Sequence, residues 1–349
     1  MRPWSIPLRG KLDELEIDSR ALKGNHLGDP HVRPLWVYRP PAYERALSVS
    51  GGDASQRFST IYLIQGLTGQ VDMWKNRASF RPNVIELIDE LFSKDDVPPC
   101  LVVMVDAWTS LGGSQYVDSP GTGKYMTYLC DDVVSFVDGK YRTKASRDHR
   151  ALTGKSSGGY GAMVVPMMRP DVFGAMGTHA GDAMFDLCYA RSFGDTVRAL
   201  RDNYGGSFEK FWADFRSRPA LSKSSDHTLL NDYCMAACYS ADADGTVRMP
   251  FDTATGERIP EIWARWLALD PVYMARKPEY AKALKSMRGI YIDAGKRDEY
   301  FLDIGAEAFR RELDKLEIEG YFFELFDATH AAIEYRYPKA MKFLAEHIA

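Results

Sequence analysis

Seven short apolar, β-rich runs punctuate the chain, with helix-like periodicity between most of them. The runs are LWVYRP (35–40), TIYLIQG (60–66), CLVVMVDA (100–107), HRALTG (149–154), AMGTHAG (175–181), GIYIDAG (289–295) and YFFELFD (321–327). Several are continuously apolar rather than alternating, the pattern of central parallel strands covered on both faces. Between them, Leu129, Val133 and Phe136 are spaced four and three apart behind Thr127, a candidate N-cap, with Asp131 and Asp132 early in that helix. Leu302, Ala306, Phe309, Leu313 and Leu316 make a second stripe, and Tyr337, Met341, Leu344 and Ile348 a third. Strands alternating with amphipathic helices predict an α/β domain with a mostly parallel sheet.

The alternation lapses over 182–275. That stretch holds helical patterns such as TVRALRDNY and EIWARWLALD, and it carries Trp212, Trp263, Trp266, Met184 and Met235, but no convincing strand. The expectation is one domain over 1–349 with a helical insertion, or lid, at 182–275. The Ser/Gly-rich segment 46–59 reads as a mobile surface loop.

Composition narrows the function classes. The 349 residues are 45% apolar and 26% charged, enough to bury a substantial core. A net charge of −4 with no long run of either sign argues against a nucleic-acid partner. No apolar stretch reaches the length of a membrane helix, and the charged N-terminus has no signal-like h-region. Five cysteines, an odd and sparse set, suit a reducing compartment, so a cytoplasmic location is expected. Cys234 and Cys238 stand four apart without a neighbouring His and read as helix-face residues. No metal or cofactor is expected, and oligomeric state stays open.

The stretch TGKSSGGYGA (153–162) supports two incompatible readings. Gly154-Lys155-Ser156 resembles the end of a phosphate loop, but such a loop needs a glycine five positions earlier, where His149 stands. Gly154-Lys155-Ser156-Ser157-Gly158 instead fits G-x-S-x-G, the sharp strand-to-helix turn that presents a nucleophilic serine between small residues. Its central position makes Ser156 the nucleophile candidate and leaves the Ser157 N–H as an oxyanion donor. The second donor should follow the third strand of the sheet, and Leu67 in Gly66-Leu67-Thr68-Gly69 is the candidate.

The partners should follow in the order Ser, acid, His. His330 lies between the last strand and the last helix, where its loop can reach the carboxyl ends of the strands. His179 is the lesser candidate, His227 reads as a surface residue, and His347 suits the last helix turn. Asp298 sits in the loop after GIYIDAG and is the preferred acid, with Asp293 inside that strand second. Trp74 and Trp108 are candidates for the substrate pocket. Lys124, Lys155 and Arg297 read as solvated charges.

Six stretches carry a family resemblance: LGDPHVRPLWVYRPPAY, YLIQGLTG, VVMVDAWTSLGGSQYVDSPGTGKYMTYL, GKSSGGYGAM, IDAGKRDEYFL and ATHAAIEY. Together they resemble the serine-esterase family that includes esterase D (S-formylglutathione hydrolase), enterochelin esterases, feruloyl esterases and the mycolyltransferases. The resemblance runs from about residue 27 to 349 and implies the α/β-hydrolase fold. Carried over by position, the family's triad falls on Ser156, Asp298 and His330, and its oxyanion donors on Leu67 and Ser157. Lys155 stands where many relatives have histidine, and Tyr335 and Tyr337 where tryptophan is common near the catalytic His. The 182–275 insertion is nearer the enterochelin-esterase-like branch. The implied activity is cleavage of a small-molecule carboxylic ester through an acyl-enzyme. Acyl transfer to an alcohol, thioester hydrolysis of the S-formylglutathione type, and a non-catalytic scaffold are the alternatives.

Overall fold

The sheet strands are β1 (Lys11–Asp18), β2 (Val32–Arg39), β3 (Ser59–Ile64), β4 (Cys100–Val105), β7 (Arg150–Lys155), β8 (Ala175–His179), β9 (Gly289–Gly295) and β10 (Phe322–Phe326). A separate two-residue hairpin pairs β5 (Asp118–Ser119) with β6 (Gly123–Lys124). These come from a computed structural model that describes residues 5–48, 53, 55–77 and 80–349. The sheet order is β1-β2-β4-β3-β7-β8-β9-β10. The two pairings of β2 are antiparallel, and from β4 to β10 all pairings are parallel.

Every residue of β3, β4 and β9 is buried, which explains their unbroken apolar runs. Alternate side chains feed two cores. Ile61, Leu63, Val102 and Met104 face helices Val84–Phe92 and Tyr337–His347, whose Ile88, Met341 and Leu344 complete that layer. Tyr62, Ile64, Val103 and Val105 face the opposite layer, which includes helices Ser157–Met168 and Leu302–Lys315. The predicted stripes at 302–316 and 337–348 are the buried faces of their helices, with Leu316 only partly covered.

The seven anticipated strands are present, with ends shifted by a few residues. The run at 175–181 stops pairing at His179, and 100–107 at Val105, because the chain there turns into loops above the sheet. β1 escaped sequence reading. As an edge strand it pairs on one side only, and KLDELEID keeps its charges other than the half-buried Asp13 exposed, burying Ile17 alone. Thr127 is not an N-cap. It lies inside helical backbone that begins at Tyr125, and Asp118 accepts hydrogen bonds from its N–H (3.0 Å) and Oγ1 (2.6 Å). The helix then widens through a π-type turn over Tyr128–Val133 before Val134–Lys140.

Of the expected loop at 46–59, Ala46 and Leu47 close helix Pro41–Leu47 and Ser59 opens β3, while residues 49–52 and 54 lie outside the described residues. Between β8 and β9 the chain is largely helical, including Phe193–Tyr204, Phe208–Ser217, Asp226–Tyr239 and Pro260–Leu267. Cys234 and Cys238 are buried on the third of these. No helix among the described residues is long and apolar enough to cross a membrane.

Candidate active site

β7 hands over to helix Ser157–Met168 at Ser156, whose backbone sits at φ +60° and ψ −126°. A non-glycine residue at positive φ is strained and persists only where its surroundings fix it. The flanking glycines allow the turn. A Cβ on Gly154 would stand 2.6 Å from the Gly158 carbonyl carbon, and one on Gly158 only 2.4 Å from the Ile64 carbonyl oxygen. Both obstacles are backbone, so neither site has room for a side chain.

The loops after β9 and β10 meet the turn. Arg297 N–H donates to the Ala328 carbonyl at 3.0 Å and Lys296 N–H to Phe326 at 2.8 Å, lacing the two loops together. Asp298 is buried in the first loop, where its Oδ1 accepts from Tyr300 N–H at 2.9 Å. Its Oδ2 lies 2.7 Å from His330 Nδ1, and His330 Nε2 lies 3.1 Å from Ser156 Oγ. Glu299 accepts the His330 backbone N–H at 2.8 Å, and the Tyr300 ring meets the imidazole edge-on at 4.9 Å. With Nδ1–H donated to Asp298, Nε2 keeps its lone pair for the serine proton. The arrangement can draw a proton from Ser156 as its oxygen bonds to an electrophilic carbon.

Ser156, His330, Leu67 and Ser157 line one cavity of about 240 Å³. The loop after β3 comes close to the serine: a Cβ on Gly66 would lie 3.3 Å from Ser156 Cβ. Thr68 N–H donates to the Gly112 carbonyl at 2.7 Å and Tyr116 Oη to the Gln65 carbonyl at 2.7 Å, fixing that loop. The Ser157 N–H opens its helix, where no earlier turn offers it an intrahelical acceptor.

The other sequence candidates separate. His179 and Asp293 bind each other at 2.6 Å beneath the site, and Asp293 also accepts from Tyr291 Oη and Arg336 Nε, each at 2.8 Å. Burial works against the Asp293 charge, but His179, Arg336 and Tyr291 outweigh it and hold its carboxyl below the usual range. The His179 carbonyl accepts Ser156 N–H at 3.0 Å, so this pair braces the turn from below. His227 is exposed and lines the cavity, and the His347 ring bonds the Phe343 carbonyl at the end of the last helix. Lys155 also lines the cavity and faces Glu334 at 3.6 Å, whereas Lys124 is exposed and Arg297 pairs with Asp327.

Neither tryptophan proposed for the pocket lines this cavity. Trp74 is buried in the sheet core with its ring edge-on to Tyr337 at 5.8 Å. Trp108 stands by a small neighbouring hollow, where its carbonyl accepts from Arg33 Nη2 at 2.6 Å. From the 182–275 stretch, Asp182, Cys188, Tyr189, His227 and Asn231 reach the cavity, while Trp212, Trp263 and Trp266 pack elsewhere. Sequence reading missed Asp182, Tyr189 and Tyr300. The available signal for Asp182 was an acidic residue three positions beyond a strand's carboxyl end.

Comparison with known proteins bears on the fold and the family. Over 147 residues, 42% of this chain, it is 24% identical to an endo-1,4-beta-xylanase/feruloyl esterase of Xylanibacter ruminicola. That stretch spans 19% of the relative's length. The fold is similar to that of a ferulic acid esterase, with TM-score 0.61 and 17% identity over 98% of this chain and 100% of that one. It is also similar to an S-formylglutathione hydrolase from Agrobacterium tumefaciens, with TM-score 0.58 and 16% identity over 99% and 98%. These likenesses establish an α/β-hydrolase-type fold. The family described as "Putative esterase" matches residues 31–336, and the chain belongs to that esterase family.

Proposed function

We propose that the protein hydrolyses carboxylic esters through an acyl-enzyme on Ser156. The observation that carries this reading is the continuous hydrogen-bonded chain from Ser156 Oγ through His330 to Asp298, opening on a cavity. Ser156 Oγ attacks the ester carbonyl carbon while its proton passes to His330 Nε2. Asp298 holds the imidazole in the required tautomer and offsets the charge it gains. The Leu67 and Ser157 N–H groups receive the oxyanion, a contribution on the order of 10²–10³ in rate. Collapse of the tetrahedral intermediate breaks the C–O bond, and the departing alkoxide takes the proton from Nε2. Water then attacks the acyl carbon, gives its proton to Nε2, and the second collapse returns that proton to Ser156 as the acid leaves.

Hydrolysis of p-nitrophenyl acetate tests the assignment. Ser156→Ala is expected to abolish turnover while the far-UV spectrum stays unchanged. Full activity in that variant would place the nucleophile elsewhere.

A further inference from the structure

A carboxyl group outside the ester-cleaving chain lies in the same cavity. Asp182 follows β8 by three residues, is buried, and lines the cavity with Ser156, Ser157 and His330. Three donors converge on its Oδ2: Tyr189 Oη at 2.7 Å, Gln115 Nε2 at 3.1 Å and Ser157 Oγ at 3.2 Å. Among the described residues none donates to Oδ1. The carboxyl is held in place, since Tyr189 packs edge-on against Phe185 (4.7 Å) and Trp266 (5.6 Å), and Gln115 is tied to Tyr239 at 2.8 Å. A fixed oxygen with no protein donor, on the wall of a reaction cavity, is an acceptor awaiting the occupant.

We propose that Asp182 is a specificity-determining residue whose Oδ1 accepts a hydrogen bond from a hydroxyl on the ester. The site thereby selects neutral, hydroxyl-bearing esters over hydrocarbon and anionic ones. The proposal rests on Ser156 being the nucleophile of this cavity. Burial raises the Asp182 carboxyl above its ordinary range. A hydroxyl matches either protonation state, donating to the carboxylate or accepting from the acid, whereas an ammonium matches only the charged form. Beside this carboxyl an anionic group would meet a like charge or lose its hydration, and the Lys155 ammonium of the same cavity already faces Glu334.

The test measures kcat/KM on two matched pairs, one for each side of the ester. p-Nitrophenyl 3-hydroxybutyrate against p-nitrophenyl butyrate probes the acyl side, and 2-hydroxyethyl butyrate against ethyl butyrate the alcohol side. The native protein is expected to prefer the hydroxyl member of at least one pair by about tenfold. Asp182→Leu brings that ratio to within about twofold. Asp182→Asn guards against a folding defect. Gln115 Nε2, which faces Oδ2 at 3.1 Å and is tied to Tyr239 Oη, can only donate, so it favours the asparagine oxygen at the Oδ2 position and turns the amide nitrogen toward the cavity. That variant is expected to keep part of the hydroxyl preference, because the hydroxyl can accept from the amide N–H, and to gain about tenfold on p-nitrophenyl hemisuccinate relative to butyrate. A bracing role alone would lower all substrates together. Absence of preference in both pairs, an unchanged ratio in folded Asp182→Leu, or no gain on the hemisuccinate in Asp182→Asn would overturn the proposal while leaving an inactive Ser156→Ala intact. Activity in Ser156→Ala would overturn both readings.

Discussion

The Lys155 ammonium stands 3.6 Å from the Glu334 carboxylate, joining the residue before Ser156 to the loop that carries His330. Arg81 lies 3.9 Å from the other oxygen of Glu334. The Lys155 and Glu334 side chains are 18% and 35% exposed, so solvent screens the pair and its stabilising effect is small. In the proposed mechanism its consequence is registry between Ser156 and His330. Glu334→Gln is expected to lower kcat on p-nitrophenyl acetate by about two- to fivefold. Unfolding free energy should fall by less than about 1 kcal/mol. An unchanged kcat would show that the pair does not position the loop.

Asp298 and Asp293 each bind a histidine, yet their substitutions should behave differently. Asp298→Asn removes the acceptor that fixes the His330 tautomer, and kcat should fall roughly 10³–10⁴-fold with the fold retained. Asp293→Asn breaks a buried network that includes Arg336, and the expected loss is roughly 3–5 kcal/mol of stability. Its folded fraction should keep kcat within about tenfold of native. Urea unfolding alongside kinetics separates the two. The exchange of these phenotypes would reverse the assignment of the acid.

Gly158→Ala places a methyl group 2.4 Å from the Ile64 carbonyl oxygen, which belongs to the central β3 strand and cannot swing aside. The expected cost is roughly 1–3 kcal/mol or more, with activity lost disproportionately because the Ser156 turn must open. Native stability and native turnover in this variant would mean that the turn accommodates a side chain at this position.

Burial pushes the Asp232 carboxyl up to about 6, despite hydrogen bonds from Thr196 and Ser192. The folded state therefore holds this proton more tightly than the unfolded chain. The stability it contributes is fully present below about pH 4 and lost as pH rises through about 6. Asp232→Asn stays neutral throughout. It is expected to be more stable than native by up to roughly 3 kcal/mol near pH 8, with a smaller gain near pH 4.5. Equal gains in urea midpoint at both pH values, or a loss at pH 8, would contradict this.

The order Ser156, Asp298, His330 was legible because each residue sits just past a strand, and parallel strands deliver their carboxyl ends to one edge. The strand pattern itself was legible because β3, β4 and β9 are covered on both faces, which writes each as an unbroken apolar run too short for a helix. β1 was not, since its charges record an exposed edge rather than a period. Trp74 and Trp108 were proposed for the pocket on residue type, but position decides: Trp74 sits under the sheet against Tyr337. Asp182, Tyr189 and Asn231 come from helices and turns beyond β8, where the wall is set by how several elements pack. No single periodicity encodes that packing.

In the proposed mechanism Ser156, activated by His330, is the one nucleophile of this cavity. Intact-mass measurement after exposure to a fluorophosphonate tests it directly. A single phosphonyl adduct is predicted on the native protein, mapping to the peptide that contains Ser156. The adduct should be absent in Ser156→Ala and formed far more slowly in His330→Ala. An adduct that persists in Ser156→Ala, or its absence from folded native protein, would rule out Ser156 as that nucleophile.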